Sequence, residues 1–91
     1  MLQIFRAIET RYCIKFKYKS ESALRKVEVY VIGLNNCGEL IIRAFEITSG
    51  WRLFKVGLME NIQITTTKFY GHRIGYNAKD SAFKKVIKKV K

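Results

Sequence analysis

Three stretches of the chain interleave cations with aromatic rings: Lys15-Phe16-Lys17-Tyr18-Lys19, Trp51-Arg52-Leu53-Phe54-Lys55 and Lys68-Phe69-Tyr70-Gly71-His72-Arg73. Single-stranded nucleic acid asks for that combination, because phosphates need cations along their track and unpaired bases need flat π-faces. Arg52 and Lys55, with Arg43 nearby, are the leading phosphate contacts: a guanidinium fork suits bidentate binding, and an ammonium adds a point charge. Lys15, Lys17 and Arg73 extend the set, and Tyr18, Tyr30 and Trp51 are candidates for stacking. Each ring also has a plainer reading, as a core side chain on one face of a strand whose other face carries solvated cations. Trp51 follows a turn glycine and equally suits a cap on the core, while Tyr76 suits a pin for the tail.

Charge balance agrees with an anionic partner. Eighteen Lys and Arg stand against seven Asp and Glu, a formal net charge of +11, with a pI near 10.0. Such an excess repels itself and favours nucleic acid, a phosphorylated small molecule or an anionic surface. Catalysis is not expected. There is no phosphate-binding G-x-x-x-x-G-K-[ST] loop, no nucleophile beside a base and no paired carboxylates at recognisable spacing. His72 is the only histidine, and Cys13 and Cys37 lie far apart without a C-x-x-C partner, so no zinc site of usual spacing and no cofactor is expected. Both cysteines read as buried or half-buried thiols.

The elements that must position these groups are short. With 91 residues, 48% hydrophobic and 27% charged, the chain is expected to form one domain over residues 1–91. No long apolar run and no signal-peptide pattern is present, which makes a cytoplasmic protein the expectation. Leu2, Phe5, Ile8 and Tyr12 recur at helical spacing and predict an amphipathic helix over 2–11. Strict alternation from Cys13 to Tyr18 predicts a strand with Ile14, Phe16 and Tyr18 on one face and Lys15 and Lys17 on the other. Further strands are expected over 27–34, 40–47, 51–56 and 62–69, with turns at Asn35-Asn36-Cys37-Gly38 and Thr48-Ser49-Gly50. Beyond them, Phe83, Val86, Ile87 and Val90 follow i, i+3, i+4, i+7 after a capping Asp80, which predicts a lysine-rich C-terminal helix. The fold class is therefore mainly β: a small five-stranded barrel of Sm-like or SH3-like type, with an N-terminal helix and a C-terminal amphipathic helix.

Several strings, in order, resemble the WYL family, a bacterial and phage domain on an Sm-like barrel. Ile14-Lys15-Phe16-Lys17-Tyr18 is similar to its "I-x-F-x-Y" strand, and Arg25-Lys26-Val27-Glu28-Val29-Tyr30 to its "R-x-V-E-P-Y" segment. Leu40 to Phe45 stands in the place of the W-Y-L strand, although the triplet itself is absent. Trp51-Arg52-Leu53-Phe54-Lys55-Val56 resembles "W-R-x-F-R-L", and Arg73-Ile74-Gly75-Tyr76-Asn77 with Asp80 resembles "R-P-G-Y-N-x-x-D". Val29 and Ile74 replace prolines of the family pattern, and Gly57-Leu58 replaces an acidic and basic pair. The resemblance implies a sensor barrel of the kind that follows a helix-turn-helix domain in transcription regulators and binds single-stranded nucleic acid or a nucleotide-like effector. It also places Arg52 and Lys55 on the family's basic strand.

The sequence thus predicts a non-enzymatic regulatory module that binds single-stranded nucleic acid or a nucleotide through Lys15, Lys17, Tyr18, Tyr30, Arg43, Trp51, Arg52, Lys55 and Arg73. The alternative is an accessory protein that docks on an acidic protein partner. A homodimer through the C-terminal helix or an edge strand is a further expectation. A membrane role fits poorly, because the apolar stripe of that helix is narrow.

Overall fold

The computed structural model describes residues 1–91. Helix α1 (Leu2–Thr10) buries Ile4, Ala7 and Ile8 and is stopped by Arg11, whose backbone is left-handed (φ 65°) and whose N–H donates to the Ala7 carbonyl. Nine residues are too few for a helix to persist alone, so α1 depends on the sheet that its apolar stripe covers. Six strands follow: β1 (Tyr12–Tyr18), β2 (Arg25–Leu34), β3 (Leu40–Glu46), β4 (Gly50–Lys55), β5 (Met59–Lys68) and β6 (Lys85–Lys89), with one 3₁₀ turn over Val56–Leu58 between β4 and β5. The alternation in β1 is as the sequence predicts: Ile14, Phe16 and Tyr18 are buried, and Lys15 and Lys17 are half-buried. Phe16, Tyr18 and Phe54 meet edge to face at centroid distances of 4.9–6.3 Å.

All strands belong to one antiparallel sheet, and the architecture departs from expectation in two ways. First, the barrel does not close. The sheet runs β4-β3-β2-β1-β5, and its two ends are not paired with each other. The turn at Val56–Leu58 carries the chain from one end to the other without forming a ladder, so both outer strands keep a free edge. Second, there is no C-terminal helix. Residues 85–89 form β6, which pairs with β2 from Val31↔Lys89 to Leu34↔Lys85. The helical stripe expected to cover the barrel or a second copy therefore does not exist.

β2 explains that outcome. Its one edge is fully taken by β3, from Val27↔Glu46 to Leu34↔Leu40. Its other edge pairs with β1 only over Arg25 to Val27. The remaining backbone groups of β2 would be left without partners, and β6 supplies them. Gly33 is the residue that permits this: a Cβ there would collide with the Lys85 carbonyl and come within 2.8 Å of the Phe83 ring. β2 is buried without a break from Val27 to Gly33, because both of its faces are covered.

The second cover is the segment from Phe69 to Lys84, which has no regular structure and crosses the β2-β3-β4 face. It is tied at its start by the Phe69 N–H to the Arg11 carbonyl (2.8 Å) and at its end by the Lys84 N–H to the Leu34 carbonyl (2.8 Å). Between these points Tyr76 lies 5.2 Å from the Tyr30 ring and 6.1 Å from the Trp51 ring. Gly75 (φ +93°) passes directly over Trp51, where a Cβ would stand 2.9 Å from the indole nitrogen.

Candidate nucleic-acid interface

The cations that the sequence singles out first are engaged within the molecule. Arg43 donates through Nε (2.6 Å) and Nη2 (3.3 Å) to the Asp80 carboxylate. Burial disfavours the Asp80 charge, but the Arg43 fork and the Ala82 N–H outweigh it and hold that carboxyl below its usual range. Arg73 donates to both oxygens of the buried Glu28 (3.0 and 2.8 Å). Those bonds push the guanidinium further up from its ordinary value. Lys55 pairs with Glu39 at 3.2 Å; Asn35 and Lys55 together hold the Glu39 carboxyl low. Arg52 reaches the Ser49 hydroxyl (3.2 Å) and lies 3.7 Å from Glu46.

Nor do these residues share one face. Arg43 stands opposite Leu53, whereas Arg52 stands opposite Ala44. Side chains alternate along a strand, so Arg52 projects to the side away from Arg43, and Lys55 to the same side as Arg43. The single basic patch expected from Arg43, Arg52 and Lys55 is not assembled.

Two of the three rings proposed for stacking are enclosed. Tyr30 is 0% exposed. Its hydroxyl donates to Glu28 (3.2 Å) and accepts the Arg73 N–H (3.1 Å), and burial, with Glu28 beside it, pushes the phenol up. Tyr18 is buried against Phe16 and Phe54, and its hydroxyl accepts the Lys55 N–H at 3.0 Å. Trp51 is half-buried, its indole N–H donating to the Ile74 carbonyl at 2.9 Å. An exposed ring that the sequence reading passed over is Tyr70, 81% exposed on the covering segment. Its only signal is its place in the Lys68-to-Arg73 run. Of the cysteines, Cys13 is buried, its thiol raised chiefly by burial and next by Glu28. Cys37 is exposed at the β2–β3 turn, contrary to expectation.

What remains free is a different set of cations. Six of the seven acids form ion pairs, with Lys88, Arg25, Arg73, Lys55, Arg52 and Arg43, which leaves twelve of the eighteen cations without a side-chain carboxylate. Four of the twelve lie on β1, β2 and β5. Lys15 stands directly opposite Lys26 on β2 and opposite Gln63 on β5. Lys26 donates to the Thr67 hydroxyl at 2.6 Å. Lys17 faces Glu60, whose carboxylate takes the Ser20 hydroxyl instead. Lys68 stands opposite Tyr12 and holds its ammonium 5.6 Å from that ring. Lys15 and Lys17 are thus where the sequence places them, and Lys26 joins them, whereas Lys68 stands apart, opposite Tyr12 where β1 begins. Like charges directly opposite on neighbouring strands are unfavourable unless something anionic lies between.

No family model and no curated protein sequence matches the chain. Among solved structures, proteasome accessory factor B/C (PafBC) of Arthrobacter aurescens shares the fold, with a TM-score of 0.69 and 22% identity over 84% of this chain and 13% of that one. The chain is therefore similar to a small part of that protein's length, and the likeness shows a shared fold.

Proposed function

We propose that this chain is a non-enzymatic regulatory module that binds single-stranded nucleic acid, or a nucleotide, through the lysine strip of β1 and β2, Lys15, Lys17 and Lys26. The observation that carries this reading is Lys15 opposite Lys26, flanked by Lys17, in a protein whose acids are nearly all paired elsewhere. A phosphate track along the strip relieves that repulsion, and the neighbouring Thr67 and Gln63 offer polar contacts that do not depend on base identity. The ion-paired Arg43, Arg73 and Lys55 serve the fold in this reading.

Fluorescence anisotropy with labelled single-stranded oligonucleotides tests it. Three phosphate contacts predict a log–log salt slope of about −2, so that affinity drops roughly twenty-fold between about 50 and 200 mM salt. Lys15→Glu with Lys26→Glu should weaken binding at least tenfold, and Arg52→Gln should change it little. Absence of binding at low salt, or binding indifferent to Lys15 and Lys26, overturns the proposal. Docking on an acidic protein is the second reading, favoured by the twelve cations without a side-chain carboxylate, with the bare Ile74 (99% exposed) and the exposed Leu53 offering apolar contact. A single protein partner that survives nuclease treatment in a pull-down would support it.

A further inference from the structure

A second cationic feature lies where α1 ends and β6 finishes. Ile8, Glu9, Arg11, Lys88, Lys89 and Lys91 line a cleft of about 330 Å³. Its arginine, Arg11, differs in setting from four others. Arg25, Arg43, Arg52 and Arg73 each meet a carboxylate. Arg11 meets no acidic side chain: its guanidinium donates to the Gly71 carbonyl and to a main-chain carboxyl oxygen of Lys91 (2.8 Å), and its carbon sits 5.4 Å from the Phe69 ring centroid. The backbone is pinned as well, by the Arg11 N–H to Ala7 and the Phe69 N–H to the Arg11 carbonyl. A guanidinium has five N–H donors, and only two are used here.

The charge beside this fixed group is lopsided. Glu9 is the one acidic side chain of the cleft, and it is paired with Lys88 at 3.3 Å. Four cations face that single carboxylate, and two positive charges remain even when the carboxyl group of Lys91 is counted against them. Neutralising the carbonyl end of α1 needs only a fraction of a charge.

We propose that this cleft binds a dianionic phosphate group, a phosphomonoester in preference to a phosphodiester. A phosphomonoester carries close to two negative charges at neutral pH and offers three acceptor oxygens. Arg11 supplies the pre-oriented fork, and Lys88 and Lys89 supply movable ammonium groups. The site lies apart from the lysine strip, so either can fail alone. The phosphate can belong to the end of a nucleic-acid strand or to a free phosphorylated small molecule.

The test is an amide-resolved NMR titration of the full chain with inorganic phosphate. Saturable shifts clustered at residues 9–12 and 88–90 are expected. Lys88→Gln with Lys89→Gln, which leaves the Arg11 bonds in place, should weaken binding by about tenfold or more, and the remote Lys79→Gln should not. Single-stranded oligonucleotides bearing a 5′-phosphate or a 5′-hydroxyl, and a nucleoside monophosphate, then identify the source. Tighter binding of the phosphorylated strand assigns a strand end; the monophosphate alone reproducing the shifts assigns a small molecule. Shifts that do not saturate, that spread over all lysines, or that persist unchanged in the double variant overturn the site. Oligonucleotides that bind the strip equally with either end, while phosphate leaves the cleft amides unmoved, overturn the cleft and leave the strip standing.

Discussion

Asp80 is half-enclosed, and its charge is maintained against burial by Arg43 and the Ala82 N–H. Its carboxyl in the folded state lies below the unfolded value of about 4. The stability it contributes is therefore fully present above that value and is lost as pH falls through the folded pKa. Asp80→Asn should cost about 1–2 kcal/mol at neutral pH, less than for a fully buried pair because Arg43 keeps some contact with water. In urea titrations from pH 7 down to about 2, the gap between variant and wild type should then close on the acid side; a constant gap would refute the linkage. Glu28 behaves differently because it is buried and its partner is not. Arg73→Leu strands a carboxylate, whereas Glu28→Gln leaves Arg73 free to reach water. The first should lower the melting temperature more than the second, and the reverse order would show that Arg73 is held by something else. The sequence reading named Arg43 and Arg73 for their type and could not see these roles. Their partners are 37 and 45 residues away, and nothing in local spacing marks which acid will meet which base. Lys15 and Lys17 were legible because strand alternation alone decides the side to which they point.

The same limit operates at the level of elements. β1 to β5 follow from alternation, β-branched residues and turn chemistry, each a local property, and the structure shows all five close to the predicted spans. The C-terminal segment does not. Phe83, Val86, Ile87 and Val90 satisfy helical spacing, yet Val86-Ile87 is equally a β-branched pair, and a short helix with a narrow stripe gains little. What decides is the vacancy on β2 left where β1 stops, a tertiary fact. Barrel closure was illegible for the same reason, since it depends on whether two distant edges meet. Gly33 offers the test of this account. Gly33→Ala would drive a methyl into the Lys85 carbonyl and the Phe83 ring, an overpacking that should cost about 1–3 kcal/mol. Hydrogen exchange should locate the damage: amides of residues 84–90 should lose protection while those of β1 and β3 keep theirs. Protection lost uniformly would mean that β6 folds as one unit with the rest of the sheet rather than as an addition to it.

For the molecule as a whole, the governing quantity is the excess charge that internal pairing does not cancel. Twelve cations lack a carboxylate, and their mutual repulsion opposes the compact state at low ionic strength. Salt should therefore raise the melting temperature of the free protein, because the Debye length shortens from about 30 Å at 0.01 M to about 8 Å at 0.15 M. The same salt should weaken oligonucleotide binding, so stability and affinity move in opposite directions along one axis. A substitution separates this from a purely structural role for the strip. Lys26→Glu turns the like-charged pair with Lys15 into an attractive one. It should raise the melting temperature of the free protein and lower its affinity for single strands, and an oligonucleotide that stabilises the wild type by mass action should stabilise the variant less. Differential scanning fluorimetry with and without oligonucleotide measures both effects together. A variant that melts lower and binds as before would mean that Lys26 is held for its bond to Thr67 and not for a phosphate. A strip maintained at a cost in stability that vanishes with one reversed charge is the arrangement expected of a surface shaped by its partner.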